Sequence, residues 1–254
     1  MESGLADKVF IVTGGASGMG LATATTLARR GARLAIWDIN RAGIEQVSKD
    51  LNLLRPGKVI PQAVDVTSRS AVKSALIEAR QHFGAIHGIV NFAGTGGHEL
   101  GVQPVWETTC EEFDFIVGLN IRGLFNILGE ALAPGFLGKL QTIVHVTSMF
   151  SERGYKNGAV FAATKHAAVG MVKSAAIEAG ERGIRVNCLL PGAIDTPMYH
   201  QVRDNAGLSN SAAITPIPRP GQPQEVANVA ALLLSDESSY VTGATWNVDG
   251  GANA

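Results

Sequence analysis

Short β-rich apolar runs alternate with longer helical patterns along nearly the whole chain, and this alternation narrows the possible folds more than any other feature. Val9–Thr13, Arg33–Trp37, Val59–Val64, Ile86–Asn91, Thr142–Thr147 and Arg185–Leu190 read as strands. Helical spacing follows the first strand through about Arg30, then recurs over Ile44–Leu54, Ala71–Phe83, Glu111–Ala133, Ala162–Glu181 and Glu225–Leu234. Strands that are apolar on both sides need cover on both sheet faces, and crossover helices supply it when the strands run parallel. The pattern predicts an α/β fold: a Rossmann-type, doubly wound parallel sheet that places ligands at the carboxyl ends of its strands. No linker or shift of composition interrupts the 254 residues, so a single domain over 1–254 is expected.

The remaining composition mostly excludes. With 46% apolar and 17% charged residues the chain can bury a large core, and a formal net charge of −1 without a basic run leaves no footprint for nucleic acid. Cys110 and Cys188 have no metal-ligand spacing and read as reduced structural thiols. Met1-Glu2-Ser3-Gly4 shows no basic or apolar leader pattern, and no apolar run has bilayer length, so a cytoplasmic protein with no membrane partner is expected.

One stretch breaks the rhythm. From Pro191 to about Pro223 the chain is rich in Pro, Gly, Asn and Ser, and long irregular segments inside compact domains are usually functional. A substrate lid near 192–222 is expected, with Met198, Tyr199 and Ile214 as its apolar contacts.

The first strand runs into Thr13-Gly14-Gly15-Ala16-Ser17-Gly18-Met19-Gly20. Gly14, Gly18 and Gly20 permit a tight turn and a close backbone approach, and the helix that opens at Ser17–Gly20 offers free N–H groups to a pyrophosphate. The spacing is TGxxxGxG rather than GxGxxG. The second strand ends at Asp38, followed by Ile39, and an acidic residue about twenty positions after such a turn can accept from the adenosine ribose hydroxyls. Its charge would repel a 2′-phosphate, so NAD is preferred over NADP. Asp65-Val66 after the third strand and Asn91-Phe92-Ala93-Gly94 after the fourth complete a shared ligand edge, with Asp65 facing the adenine amine and Gly94 passing beside the cofactor.

With these elements the chain resembles the short-chain dehydrogenase/reductase family over essentially its whole length. Thr13–Gly20, Asp65, Asn91-Phe92-Ala93-Gly94, Asn120, Ser148, Lys165, and Pro191-Gly192 with Ile194 and Thr196 carry the likeness, as do Tyr240–Gly243 and Val248–Gly251 near the end. Phe92 stands where a second asparagine is common, and Met149 follows the serine. The resemblance implies a seven-stranded parallel sheet, a homotetramer or less often a dimer, and hydride transfer between a nicotinamide and a carbonyl or alcohol. It also implies roles. Ser148 would hydrogen-bond the substrate oxygen, Lys165 would hold the nicotinamide ribose and lower the pKa of a neighbouring phenol, and Asn120 would anchor a water in a proton relay.

The family's catalytic tyrosine falls on Phe161, which can neither give nor take a proton. Positions 161 and 165 are one helical turn apart, so a phenol there would sit beside the ammonium. Its loss removes general acid catalysis of about 10²–10⁴ in rate. Tyr155, Tyr199, His98 and His145 are the other proton-bearing side chains near the motifs, and each has a plainer reading as packing or loop decoration. Three readings follow: an engineered Tyr-to-Phe change in an ordinary dehydrogenase; a natural enzyme using water, Ser148 or the substrate for the proton, or catalysing a non-redox rearrangement or cyclisation; or a catalytically silent NAD-binding partner. Phe150, Met198 and Tyr199 suggest a hydrophobic small-molecule substrate, while Glu99, Arg153 or His200 would instead orient a polar group. Assembly would use the helices at Glu111–Ala133 and Ala162–Glu181.

Overall fold

The computed structural model describes residues 4–54, 56–138, 141–207 and 215–254. Seven parallel strands form its sheet: β1 (Val9–Thr13), β2 (Arg33–Asp38), β3 (Val59–Ala63), β4 (Gly88–Asn91), β5 (Thr142–Val146), β6 (Arg185–Pro191) and β7 (Thr245–Val248). Their order is β3-β2-β1-β4-β5-β6-β7, so the chain reverses its direction of travel across the sheet between β1 and β4. In open α/β sheets that switch point opens a crevice at the carboxyl edge.

Two apolar layers sandwich the sheet. On one face Phe10, Val12, Leu34 and Ile36 meet α1 (Gly18–Arg29), α2 (Arg41–Leu54) and α8 (Pro223–Leu234). On the other, Ile11, Ala35 and Trp37 meet α3 (Arg69–Phe83), α5 (Gly123–Ala131) and α6 (Ala159–Gly180). This alternation along each strand is the two-residue period expressed as two cores. On the second face Trp37, Thr13, Asn91, His145 and Cys188 are paired in register, a continuous row beneath the carboxyl edge.

Three departures from the sequence expectation matter for the site. The stretch expected to be one helix over Glu111–Ala133 is divided: α4 (Cys110–Val117) and α5 are joined by a π turn over Gly118–Arg122. The apolar period continues through the turn, which is why it does not register as a break. Within the stretch expected to be irregular, α7 (Pro197–Asn205) forms, with Thr196 Oγ1 accepting from Tyr199 N at its start and Pro197 at the first position. The edge strand β7 is short and only partly buried, too weak a pattern to be read among the six strand runs. Ile214 lies outside the described residues. Among the described residues no helix is long and apolar enough to cross a membrane.

Candidate active site

At the carboxyl edge of β1, β2 and β4 lies a cleft of about 840 Å³. Its first wall is the glycine turn. Gly14 and Gly18 have φ of 62° and 52°, a region that penalises side chains. A Cβ on Gly20 would lie 2.1 Å from Gly14 O, so helix and turn touch backbone to backbone. Ser17 caps α1 with extended backbone but makes no side-chain cap bond among the described residues, so the first N–H groups of the helix face the cleft uncapped. A cradle that only glycine permits, at an uncapped helix N-terminus, fits the pyrophosphate of a dinucleotide.

Ser17, Met19, Asp38, Ile39, Asp65 and Val66 line the same cleft, as do Ala93, Gly94 and Thr196. Asp38 is braced against the turn: Oδ2 accepts from Ala16 N at 3.1 Å and Oδ1 from Asn40 N at 3.0 Å. Asp65 Oδ1 accepts from the Thr67 hydroxyl and backbone N–H. Asn91 is placed differently from the others. Its Oδ1 accepts from the Thr13 hydroxyl and from Ala93 N at 3.2 Å, and its Nδ2 donates to His145 Nδ1 at 3.0 Å. The side chain thus supports the loop from below and does not line the cleft. Pro191, Gly192 and Ile194 also stand back from it. Gly192 packs on Asp249, where a Cβ would meet Asp249 Cα at 2.7 Å, and Ile194 is buried and bridged to Gly221.

Beyond Gly94 the site is made of side chains. Lys165 on α6 is only 7% exposed, and burial holds its ammonium down to about 8. A Cβ on Gly94 would lie 3.2 Å from Asn120 Oδ1 and 3.4 Å from Lys165 Nζ, so glycine here lets both groups pack directly behind the cleft wall. Asn120, carried by the π turn, is fixed by three hydrogen bonds: Oδ1 accepts from Thr95 N (2.8 Å), and Nδ2 donates to Thr95 O (2.9 Å) and to Thr164 Oγ1 (3.0 Å). π turns of this kind recur at functional sites because they re-aim a side chain or free a carbonyl. Ser148 follows β5, and its Oγ accepts from Phe150 N at 3.2 Å. Phe161 is 8% exposed with its ring centroid 5.4 Å from Lys165 Nζ. Phe150 meets that ring edge-on at 6.3 Å and stacks on Tyr155 at 4.2 Å.

A family model described as enoyl-(acyl carrier protein) reductase matches residues 14–253. The short-chain dehydrogenase/reductase aba4 of Botryotinia fuckeliana is 36% identical over 250 residues, 96% of each chain. The chain belongs to the short-chain dehydrogenase/reductase family. Levodione reductase of Leifsonia aquatica is 35% identical, covering 98% of this chain and 95% of its own. Among solved structures, the 3-ketoacyl-(acyl-carrier-protein) reductase of Brucella melitensis complexed with NADH superposes with a TM-score of 0.85 at 32% identity, covering 98% of this chain and 100% of that one.

With a phenyl ring at position 161, the geometry of the other proton-bearing side chains matters. Tyr155 points elsewhere: a Cβ on Gly101 would lie 3.3 Å from its hydroxyl and 3.7 Å from Val202, so the phenol faces the loop after β4 and α7. The Tyr199 hydroxyl accepts from Arg203 at 2.9 Å. His98 is exposed and paired with Glu112 at 2.7 Å. His145 is buried and held down to about 3 by desolvation and by Lys165, so its ring is neutral at pH 7. Because Asn91 donates to Nδ1, the proton of that neutral ring sits on Nε2, which is buried without a partner. Arg153 donates to Ala252 O and His200 is paired with Asp195, so two of the three candidate polar anchors are engaged, and the third, Glu99, does not line the cleft. Thr95 and Thr164, which position Asn120, escape sequence reasoning: they lie 25 and 44 positions from it and belong to no motif.

Proposed function

We propose that the protein is an NAD(H)-dependent oxidoreductase that interconverts a secondary alcohol and a ketone on a hydrophobic small molecule. The observation that carries this reading is a cleft with a glycine-only cradle and Asp38 at one end, whose wall at Gly94 is backed by Asn120 Oδ1 and Lys165 Nζ. Gly14, Ser17, Gly18, Met19 and Gly20 would hold the pyrophosphate on α1, Asp38 and Ile39 the adenosine ribose, and Asp65 and Val66 the adenine. Asn91 would act from beneath by fixing Ala93 and Gly94, and Pro191, Gly192 and Ile194 would act by fixing the path that delivers Thr196. When bound, the nicotinamide supplies or takes up a hydride at the substrate carbon. Lys165 holds charge behind the cleft wall, Ser148 offers a hydroxyl to the substrate oxygen, and Asn120 locks that wall in place.

NAD is favoured over NADP because Asp38 faces the ribose end and the glycine turn presents no basic side chain. A hydrophobic substrate is favoured by the paired rings of Phe161 and Phe150 beside Lys165 and by Met198 of α7, which lines the cleft and would serve as a lid. Exposed Phe113, Phe115, Phe125 and Ile177 on α4, α5 and α6 favour a cytoplasmic homotetramer assembled through these helices. Phe161 itself favours the second reading, a non-redox rearrangement in the same pocket; the intact Asn120, Ser148 and Lys165 weigh against a silent binding protein.

Titration calorimetry with NAD, NADH and NADP, followed by nicotinamide absorbance with a panel of apolar ketones and alcohols, tests the proposal. Micromolar NAD(H) binding and ketone-dependent absorbance change are expected. Binding without any absorbance change while a product forms would favour the rearrangement.

A further inference from the structure

We propose that Lys165 itself supplies and recovers the substrate's proton, taking the part that the tyrosine plays elsewhere in the family. The inference rests on the oxidoreductase reading and names the acid that this reading leaves open.

Geometry carries it. Lys165 is 7% exposed, its Nζ lies against Gly94 of the cleft wall beside the Asn120 amide, and it makes no hydrogen bond among the described residues. Its nearest aromatic neighbour is the bare ring of Phe161, which stabilises the cation through its face but accepts no proton from it. Of the other proton-bearing side chains near the motifs, Ser148 carries an alcohol proton far less acidic than an ammonium, Tyr155 faces Gly101 and α7, the Tyr199 hydroxyl lies against Arg203, His98 is paired with Glu112, and His145 lies beneath Asn91. Replacing a phenol by a phenyl ring subtracts one oxygen, so a carbonyl oxygen can come closer to the ammonium than a tyrosine would allow. Lysine's four-carbon stem gives the remaining reach.

The surroundings suit the task. The titratable groups that act on Lys165 from the sheet are Cys188 on β6 and His145 on β5. Burial pushes the Cys188 thiol up to about 12, and His145 is held down to about 3, so both are neutral at pH 7. No carboxylate is among the groups acting on Lys165, and burial brings its ammonium down to about 8, near the working pH at which a general acid is most effective.

In reduction, an electron pair reaches the carbonyl carbon as hydride from a reduced nicotinamide. The π pair moves onto oxygen, one Nζ–H bond breaks, and an O–H bond forms. The neutral amine left behind regains a proton from solvent. Oxidation is the reverse, with the neutral amine taking the alcohol proton. The two directions therefore have opposite pH dependence: reduction falls, and oxidation rises, as pH passes through about 8.

The test uses the full-length protein with NADH and 9,10-phenanthrenequinone as the probe ketone. Lys165→Ala is expected to lose about 10²–10³ in rate. Ethylamine and weaker alkylamines should restore at least about tenfold, ranked by amine basicity, with NADH affinity by fluorescence titration unchanged by the amines. In protein labelled with ¹³C at lysine Cε, the signal missing from Lys165→Arg should titrate near 8. Phe161→Tyr should gain less than about tenfold, because an acid is already present. A gain over the full range of about 10²–10⁴, turnover only with tyrosine, or an ordinary lysine titration at that signal would overturn the proposal while leaving the redox reading intact. So would a loss in Lys165→Ala fully explained by weaker NADH binding, without amine rescue. Failure of both proteins to bind NADH or reduce any ketone would instead sink the oxidoreductase reading and this inference with it.

Discussion

The two halves of the cleft are built from different materials. Around β1 and β2 the surface is backbone: positive-φ glycines, an uncapped helix end, and a carboxylate braced by main-chain N–H groups. Around β4, β5 and α6 it is side chain, with Asn120, Ser148 and Lys165 drawn from three separate segments and Asn120 held by Thr95, Thr164 and a π turn. Backbone surfaces depend on the absence of atoms at a few positions. Side-chain surfaces depend on the presence of single atoms, and Phe161 offers a bare ring beside the ammonium of Lys165. On the proposed reading the first half fixes a ligand class, and the second decides which reaction follows.

The comparison breaks most severely if its backbone half tolerates a methyl group. Gly20→Ala would place a carbon 2.1 Å from Gly14 O, and neither partner is a side chain that can rotate away. Forced apart, turn and helix should lose about 2–3 kcal/mol of stability, and NAD(H) binding should fall with the distorted cradle. Urea unfolding together with calorimetry measures both. Unchanged stability and affinity would mean that the close contact of turn and helix is not what shapes the cradle.

The same contrast explains what sequence reasoning could see. A backbone site is written contiguously, so Gly14, Gly18 and Gly20 between a strand and a helix announce it, and Asp38 follows at the next strand end. The parallel sheet was equally legible because both faces are covered and each strand reads as an unbroken apolar run. What stayed hidden had no local signature. The π turn under Asn120 keeps the helical apolar period on either side. The brace of Thr13, Asn91 and His145 exists only because β1, β4 and β5 are neighbours in register. Helix α7 did carry a start signal in Thr196-Pro197, masked by the Pro- and Gly-rich stretch around it.

A smaller effect sharpens the side-chain half. His145 sits neutral in the folded protein with its pKa lowered to about 3, whereas in the unfolded chain it titrates at the ordinary histidine value of 6.5. Between those values the unfolded state binds a proton that the folded state refuses, so stability is fully present above about 6.5 and is lost as pH falls towards about 3. On the order of 1–3 kcal/mol should disappear between pH 7 and pH 4. In His145→Asn, where an amide can still pair with Asn91, that part of the acid sensitivity should vanish. Urea midpoints at the two pH values for both proteins give the answer, and parallel pH profiles would show that the ring is not as dry as its burial implies.

The smallest effect concerns coenzyme choice, where the two halves are most nearly independent. Asp38 accepts from Ala16 and Asn40 main-chain N–H groups, which fixes its charge in the cleft beside the glycine turn, where the proposed reading puts the adenosine ribose. Asp38→Ala removes both the ribose acceptor and the repulsion of a 2′-phosphate, so NAD affinity should fall and NADP affinity rise, each by about tenfold, or about 1.4 kcal/mol. Because the change is confined to the backbone half, the ratio of turnover with the two coenzymes should move while the pH at which turnover breaks stays where Lys165 sets it. If the break moves along with coenzyme preference, the halves are coupled through the Gly94 loop. The division between a ligand-fixing half and a reaction-deciding half would then be one of construction, not of function.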